Sequence, residues 1–292
     1  MINPRIGAHK SIAKSIDLAI DRALASTCEC LQIFSRPPRQ WAIGRIISSK
    51  KVDLFTKKSE AANFYDTAIH MPYLPNISSP DDGLYEKSVE VLIEEVDLSL
   101  IMKIPFIVTH LGSPKDRNEK YAAKRVANAL NYAIDHFQQN CKQGNPPVIL
   151  LENSTAKRKI WGTRLENFET ILNYVEEEAL IGVCFDTAHA YSAGYDIKTA
   201  EGLNETIDRL EDLIGKNKIK LIHINDSKGD LGSGIDHHEH IGYGYIGLEC
   251  FRELMQNRRF KDIPMILETP KDDINSDRRN LDLLRELRST KK

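Results

Sequence analysis

The sequence predicts an α/β protein built as a single (β/α)8 barrel, the TIM-barrel class. Short apolar runs rich in β-branched residues alternate with longer helical patterns, and this alternation occurs eight times. The runs are almost continuously apolar, as in Val148-Ile-Leu-Leu151, which is typical of parallel strands covered on both faces. A length of 292 residues suits one such barrel, and we therefore expect one domain over residues 1–292.

The predicted strands occupy residues 5–9, 30–35, 66–70, 105–111, 147–152, 181–186, 220–225 and 264–268. Helical patterns fill the intervals, at residues 12–26, 50–64, 84–103, 119–140, 165–178, 200–215, 247–257 and 276–288. The main alternative is an open, doubly wound sheet. Such a sheet would need a glycine-rich phosphate-binding turn after its first strand, and Gly7-Ala-His-Lys10 is not one.

Composition excludes several classes of protein. A hydrophobic content of 41% with 28% charged residues describes a globular protein rather than a disordered one. The formal net charge of −2 counts mildly against a nucleic-acid partner. Five cysteines without paired CxxC spacing argue against a disulfide framework. No apolar run reaches the length of a membrane span, so we expect a cytoplasmic protein, associated with the nucleoid if the organism is prokaryotic.

One stretch, residues 221–242, carries chemistry that a packed core does not need. It begins as an apolar strand and continues as a polar loop, with four histidines and four glycines in all. Imidazole and carboxylate groups are the ordinary ligands of zinc and manganese, and glycines allow the backbone to bring several of them together. The alternative is a solvated loop whose histidines bind nothing.

Most histidines of the chain share one kind of position relative to the predicted strands. Eight of the nine end a predicted strand or lie in the loop after one: His9, His70, His110, His189, His223, His237, His238 and His240. His136 lies in a predicted helix, and we expect it at the surface. Barrel enzymes carry their sites on the rim formed by the strand ends, and the histidines therefore predict a site there.

Three carboxylates end predicted strands as well, Glu152, Asp186 and Glu268, each after an apolar run that would bury it. A buried salt bridge is the alternative for each one singly. Three carboxylates at equivalent places, facing histidines from other strands, are better explained by a cluster of several metal ions.

Two long motifs, residues 181–196 and 223–242, resemble the endonuclease IV family of apurinic/apyrimidinic endonucleases. Shorter matches at residues 70–74, 109–113 and 266–270 extend the resemblance over nearly the whole chain. The resemblance implies a DNA base-excision-repair enzyme of the deoxyribonuclease IV type on a TIM barrel. Such an enzyme uses three zinc ions to hydrolyse the phosphodiester 5′ to an abasic site in double-stranded DNA, leaving a 3′-hydroxyl and a 5′-deoxyribose phosphate.

The resemblance also implies which residues act. It gives three ligand groups: His70 and His110 with Glu152; Glu152 with Asp186, His223 and Glu268; and His189 with Asp236 and His238. Manganese could replace zinc in one of them. Glu152 and Glu268 would be the catalytic carboxylates, shaping the attacking hydroxide. Because His237 stands beside His238, either could be the third-group ligand.

Recognition of DNA is expected from loops outside the metal ligands. The resemblance gives Arg39 and Tyr73 as residues that enter the DNA stack where a base is missing; the alternative is an exposed loop arginine and a core tyrosine. Lys228 and the basic segment 157–159 would contact phosphates. Two features depart from the family: a bulky basic loop at residues 153–160, and Tyr243 in place of an acidic residue. We expect a monomer that requires no protein partner.

Two other functions compete with this prediction. A sugar isomerase or epimerase of the same barrel type could use Glu152, Asp186, His223 and Glu268 to hold one metal, but it would have no use for the five remaining ligands. A DNA-lesion binding protein that has lost turnover is the second alternative, and the altered loops favour it. Retention of all nine ligands opposes it, because an unused cluster would be free to lose them.

Overall fold

The structure, a computed structural model, describes residues 4–42, 47–140, 145–156 and 160–290. Two predicted features, Cys141 and the basic segment 157–159, lie outside these residues. Eight parallel strands close into a barrel: β1 (Ile6–Lys10), β2 (Cys30–Phe34), β3 (Ala68–His70), β4 (Phe106–His110), β5 (Val148–Glu152), β6 (Ile181–Asp186), β7 (Ile219–His223) and β10 (Met265–Leu267). Their order around the barrel is β1-β10-β7-β6-β5-β4-β3-β2, which confirms the predicted fold class.

The helices that cover the barrel are α1 (Leu18–Ala25), α2 (Ser49–Ala61), α3 (Asp82–Met102), α4 (Glu119–Asn140), α5 (Glu166–Leu172), α7 (Ala200–Ile214), α8 (Leu248–Gln256) and α9 (Ser276–Ser289). Local sequence explains their ends. The side chain of Thr199 accepts a hydrogen bond from the Gly202 amide at the start of α7, and Asp81 accepts one from Leu84 at the start of α3. Gly215 ends α7 with a positive φ of 88°, which glycine adopts without strain.

Three short elements after the barrel strands were not predicted. They are helix α6 (Thr187–Ser192), directly after β6, and the antiparallel pair β8 (Asp226–Ser227) and β9 (His238–Glu239). Each is too short to show a periodic pattern in the sequence. All three lie in the segments that carry the candidate ligands, so they decide how those side chains are aimed.

The interior of the barrel contains a layer of small and medium apolar side chains, one from each of seven strands. Its members are Cys30, Ala68, Val108, Leu150, Cys184, Leu221 and Ile266. The neighbouring positions on the same strands, such as Ile69 and Phe185, point outwards and pack with the helices. Because side chains alternate along a strand, the residues two positions further on must also point into the barrel, at its carboxyl end. The apolar layer is therefore the floor of the space at the carboxyl end of the barrel.

Candidate metal centre

Above the apolar floor lies a ring of polar side chains, each two residues beyond a member of that floor. The ring consists of Gln32, His70, His110, Glu152, Asp186, His223 and Glu268, with His9 in the equivalent place on β1, two residues after Gly7. Strand register brings neighbours together: His110 pairs with Glu152 across β4 and β5, and Asp186 pairs with His223 across β6 and β7. Alternation along the strands thus turns scattered sequence positions into one site.

The candidate ligands form three groups whose nitrogen and oxygen atoms lie within 4.8 Å of one another in each group. These are His70, His110 and Glu152; Glu152, Asp186, His223 and Glu268; and Asp186, His189 and His238. Glu152 belongs to the first two groups, and Asp186 to the last two. The three groups are therefore contiguous, linked by shared carboxylates.

Glu152 is the fully buried centre of the first two groups. Its Oε2 lies 3.2 Å from His70 Nε2 and 3.4 Å from His110 Nδ1. Its Oε1 lies 3.0 Å from His223 Nδ1 and 3.3 Å from His189 Nδ1. The two oxygens face different groups, which is the geometry a bridging carboxylate needs.

The third group differs in part from the set that the family resemblance implies. His189 and His238 are joined by Asp186, whereas Asp236 lies beside the group, with Oδ1 3.1 Å from His189 Nε2. The side chain of Asp236 is half exposed, whereas that of His189 is buried. Of the two adjacent histidines, His238 belongs to the group and His237 is exposed in the cavity wall.

Local structure explains how the third group is assembled. Asp186 caps α6, because its Oδ1 accepts a hydrogen bond from the His189 amide at 2.8 Å. That cap fixes His189 one turn from the end of β6. Pairing of Ser227 with His238 across β8 and β9 folds the long loop back over the barrel. The short elements that the sequence did not reveal are thus the ones that close this group.

The electrostatics of the centre favour cations. Burial alone would raise the pKa of Glu152, but His110 and His223 hold it well below its usual range. Burial likewise disfavours a charged His223, but Cys184, Glu268 and Glu152 together raise the pKa of His223 well above its ordinary value. Glu152 is therefore ionised at neutral pH, and a buried carboxylate requires positive charge around it from protons or from metal ions.

The orientation of the imidazoles suits divalent metal ions. Nδ1 of His70, His189 and His238 each lies within hydrogen-bonding distance of a backbone carbonyl, at 2.6, 3.0 and 3.2 Å respectively. A carbonyl accepts only from N–H, so the neutral form of each ring has its lone pair on Nε2. The buried Nε2 of His238 has no hydrogen-bond partner. Neutral imidazoles and carboxylates of this kind fit zinc or manganese.

Sequence reasoning did not identify the amides that hold the ligands. Asn153 Oδ1 accepts from the Asp186 amide at 2.7 Å, and Asn225 Nδ2 donates to Asp186 Oδ2 at 2.9 Å. Asn225 Oδ1 also accepts from the Glu268 amide at 2.7 Å. Both asparagines closely follow predicted strand-end ligands, Glu152 and His223, and that position was the available signal. They fix the backbone at two strand ends and leave the carboxylates little freedom.

A cavity of about 550 Å³ opens above the centre. Tyr73 lies at its edge and is 61% exposed, so the alternative interpretation of Tyr73 as a core residue is wrong. Its ring meets Phe34 edge-on at 5.5 Å between centroids. Lys228, His237 and Pro270 also line the cavity. The centre therefore opens to solvent through a cavity lined by an aromatic side chain and a lysine as well as by candidate ligands.

The loop after β2 carries Arg39 and is fixed at its base. Arg36 is fully buried and forms ion pairs with Glu95 at 2.9 Å and Glu94 at 2.7 Å, while donating to the Trp41 carbonyl at 2.6 Å. The Tyr73 amide donates to the Pro38 carbonyl at 3.0 Å, which ties this loop to the loop after β3. Arg39 itself is exposed. The two residues given for DNA stacking therefore lie on adjoining, anchored loops.

Similarity to known proteins extends over nearly the whole chain. Residues 20–291 match the model of the "Xylose isomerase-like TIM barrel" family. The chain is 39% identical over 282 residues to the probable endonuclease 4 of Methanoculleus marisnigri, covering 97% of this chain and 98% of that protein. The chain belongs to the endonuclease IV family.

Solved structures of differently named proteins share the fold of this chain. Endonuclease IV from Thermus thermophilus superposes with a TM-score of 0.83 at 32% identity, covering 97% of this chain and 98% of that one. A D-tagatose 3-epimerase-like protein superposes with a TM-score of 0.74 at 17% identity, covering 97% and 96%. At that identity the epimerase shares the barrel alone. The fold therefore does not separate nucleases from sugar isomerases, and the side chains must do so.

Three further features bear on the sequence predictions. Among the described residues, Cys28, Cys30, Cys184 and Cys250 are free and buried. No helix in the described ranges is long and apolar enough to cross a membrane. His136 lies on α4, part-exposed, with Nε2 2.9 Å from Asp97 Oδ1 on α3, and it belongs to none of the three candidate ligand groups.

Proposed function

We propose that this protein is a DNA base-excision-repair endonuclease, which hydrolyses the phosphodiester bond 5′ to an abasic nucleotide and leaves a 3′-hydroxyl and a 5′-deoxyribose phosphate. The observation that carries the proposal is the joining of three ligand groups through Glu152 and Asp186. Membership of the endonuclease IV family supports it. A phosphodiester needs charge neutralised at the attacked phosphate and at the leaving oxygen, and a contiguous cluster offers both.

The residues divide the proposed work among them. His70, His110, His189, His223, His238, Glu152, Asp186, Asp236 and Glu268 would hold three divalent ions, zinc in the main with manganese admissible at one position. Ions bound there supply Lewis-acid activation of water and neutralise phosphate charge. Glu268 lines the cavity, and this supports assigning its carboxylate the task of orienting the attacking oxygen. Glu152 lies below, fully buried, and holds the cluster together.

Selection of the lesion is assigned to the two anchored loops. Tyr73, at the cavity edge, and the exposed Arg39 would fill the gap in the base stack, each stacking contact being worth roughly 1–3 kcal/mol. Lys228, which also lines the cavity, would offer a cation to the DNA backbone. The basic segment 157–159 has the same proposed role. Anchoring of the loops lowers the entropy lost on binding.

A nicking assay tests the function directly. The substrate is a labelled duplex with one tetrahydrofuran residue in place of a nucleotide, and the control is the same duplex fully paired. The expected result is a single cut 5′ to the tetrahydrofuran, yielding an end with a free 3′-hydroxyl that a polymerase extends. Absence of cutting by the metal-loaded protein would overturn the proposal.

The same assay separates the two alternatives. A protein that binds the tetrahydrofuran duplex tightly without cutting it would be a lesion-binding protein. A protein that neither binds nor cuts, and that exchanges the α-proton of a ketose into solvent, would be an isomerase or epimerase. The isomerase or epimerase requires only Glu152, Asp186, His223 and Glu268, and it gives no role to the other members of the first and third ligand groups.

A further inference from the structure

Two members of the strand-end ring, Gln32 and His9, are not among the candidate ligands, yet both contact them. Gln32 is fully buried and takes the place on β2 that His70 takes on β3 and Glu152 on β5. A fully buried glutamine in the wall of a barrel is costly unless its amide is satisfied at both ends. Its partners show what it is for.

Both ends of the Gln32 amide are used. Nε2 donates to Glu268 Oε1 at 2.6 Å and lies 3.1 Å from His9 Nδ1. Oε1 lies 2.8 Å from His223 Nε2. The Gln32 side chain therefore joins His223 and Glu268, two members of the four-residue group that also contains Glu152 and Asp186.

The orientation of the amide is dictated by Glu268. A carboxylate accepts hydrogen bonds and donates none, so the NH2 end must face Glu268 and the oxygen must face His223. An amide oxygen only accepts, so His223 must carry its hydrogen on Nε2. In the neutral ring that a metal ion requires, the lone pair of His223 is then on Nδ1, which lies 3.0 Å from Glu152 Oε1 and 3.7 Å from Asp186 Oδ2. The tautomer follows from the chain of donors and acceptors.

The hydrogen bond from Gln32 gives the two carboxylate oxygens of Glu268 different partners. Oε1 is held by Gln32, whereas Oε2 faces the group, 3.5 Å from His223 Nδ1. A carboxylate held at one oxygen cannot rotate without breaking that hydrogen bond. Gln32 therefore keeps one oxygen of Glu268 and one nitrogen of His223 turned towards the same point.

We propose that Gln32 is a positioning residue for the four-residue metal group, which fixes the tautomer of His223 and the rotation of Glu268 through the two ends of one amide. The inference rests on the proposed function only in taking this group to bind a metal ion, and DNA cleavage does not enter it. The residues that orient metal ligands typically contribute 10- to 100-fold to metal affinity. Gln32 is expected to contribute in that range to one ion per chain.

The test compares Gln32→Met, which keeps length and removes both hydrogen bonds, with the control Thr67→Val. Thr67 is also buried, and its Oγ1 donates to the Phe64 carbonyl at 3.0 Å at the amino end of β3, away from the centre. Zinc bound per chain is measured during competition with a chelating indicator. Gln32→Met should release one zinc at about 10- to 100-fold lower chelator concentration than the wild type, and Thr67→Val at the wild-type concentration. Retention of all zinc by Gln32→Met at the wild-type concentration would overturn the inference.

A spectroscopic readout separates positioning from general destabilisation. In the zinc-loaded protein labelled with ¹⁵N-histidine, His223 should show a hydrogen on Nε2, and Gln32→Met should lose that signal from slow exchange. Gln32→Glu keeps an acceptor for His223 but replaces the donor to Glu268 with a second carboxylate, so it should keep the Nε2–H signal. If Gln32→Met does not fold, the wild-type spectrum decides, and absence of a hydrogen on His223 Nε2 overturns the inference. Failure of the nicking assay with intact zinc binding would reject the proposed endonuclease and leave this result standing.

Discussion

At the scale of single residues, the metal centre depends on atoms that are held from more than one side. Glu268 shows this most clearly: its amide donates to Asn225, its Oε1 accepts from Gln32, and its carbonyl lies 3.2 Å from His238 Nδ1. Burial would raise the pKa of Glu268, but the neighbouring imidazoles, His223 foremost, hold that pKa well below its usual range. Glu268 is therefore a charged, oriented oxygen donor at the cavity wall.

Replacement of Glu268 by Gln is expected to abolish turnover while preserving the fold. The amide keeps the size of the side chain but removes the negative charge that holds a divalent ion and orients the attacking oxygen. Incision of tetrahydrofuran duplex should fall by several orders of magnitude, and the circular dichroism spectrum should be unchanged. His136→Ala is the control, because its part-exposed ion pair with Asp97 is worth at most about 1 kcal/mol. Similar incision rates in the two variants would show that the strand-end assignment is wrong.

At the scale of elements, the loops divide into those that close the metal centre and those that face the opening. The loop from β7 to α8 is held by Asp226, whose buried carboxylate accepts from the amides of Gly242, Gly244 and Ile246 at 2.9 to 3.1 Å. The loop after β2 is held instead by the buried ion pairs of Arg36. Both loops are fixed at the base, and the loop after β2 contains none of the candidate ligands, so its exposed Arg39 can be replaced without removing one.

Removal of Arg39 and Tyr73 together should weaken lesion binding and spare the metals. Neither residue belongs to a ligand group, so zinc content should equal that of the wild type. Loss of two stacking contacts and of support for a kinked duplex should cost roughly 2–5 kcal/mol in binding to tetrahydrofuran duplex. Affinity for intact duplex should fall much less, because it depends on phosphate contacts.

Binding titrations at one fixed salt concentration measure both affinities. The matched control is Lys120→Ala with Tyr132→Ala, which removes an exposed cation and an exposed tyrosine from α4 on the outside of the barrel. That pair should leave both affinities unchanged. Equal losses on damaged and intact DNA in the Arg39 and Tyr73 variant would mean that these side chains contact only the backbone, and lesion choice would then come from the shape of the metal cavity.

At the scale of the whole molecule, the barrel converts eight separate strand ends into one polar ring above an apolar floor. The chain has a formal net charge of −2 overall, but its ionised carboxylates converge at one end of the barrel. Ions bound there would reverse the local sign of the charge where a phosphate approaches. Net charge alone therefore gave little information about the partner.

The purified protein is expected to contain close to three transition-metal ions per chain, mainly zinc. Elemental analysis of protein prepared without added metal measures this number. Prolonged treatment with a chelator should remove the ions and abolish incision, and short exposure to EDTA should act slowly because Glu152, Asp186 and His223 are fully buried. Added zinc should restore activity. A content near one ion per chain would contradict the trinuclear assignment and favour the isomerase.

The sequence by itself determined the barrel and its polar rim. All eight barrel strands lie within or next to their predicted ranges, since runs such as Val148–Glu152 combine buried apolar residues with a polar end. Glu152, Asp186 and His223 were selected because each ends an apolar run, and a strand end can be recognised from local sequence. Residue type at a strand end therefore sufficed to select most of the candidate ligands.

Only the tertiary structure decided how those ligands are grouped. Asp186 joins the third group, and Asp236 lies beside it, because α6 and the β8–β9 pair set distances between segments that are far apart in sequence. Sequence analysis did not identify Gln32, because one amide in an apolar run forms no distinctive pattern. Its role becomes evident only when closure of the barrel brings it to Glu268 and His223. Alternation along a strand is a local property, whereas contact across the barrel depends on register, tilt and closure of all eight strands.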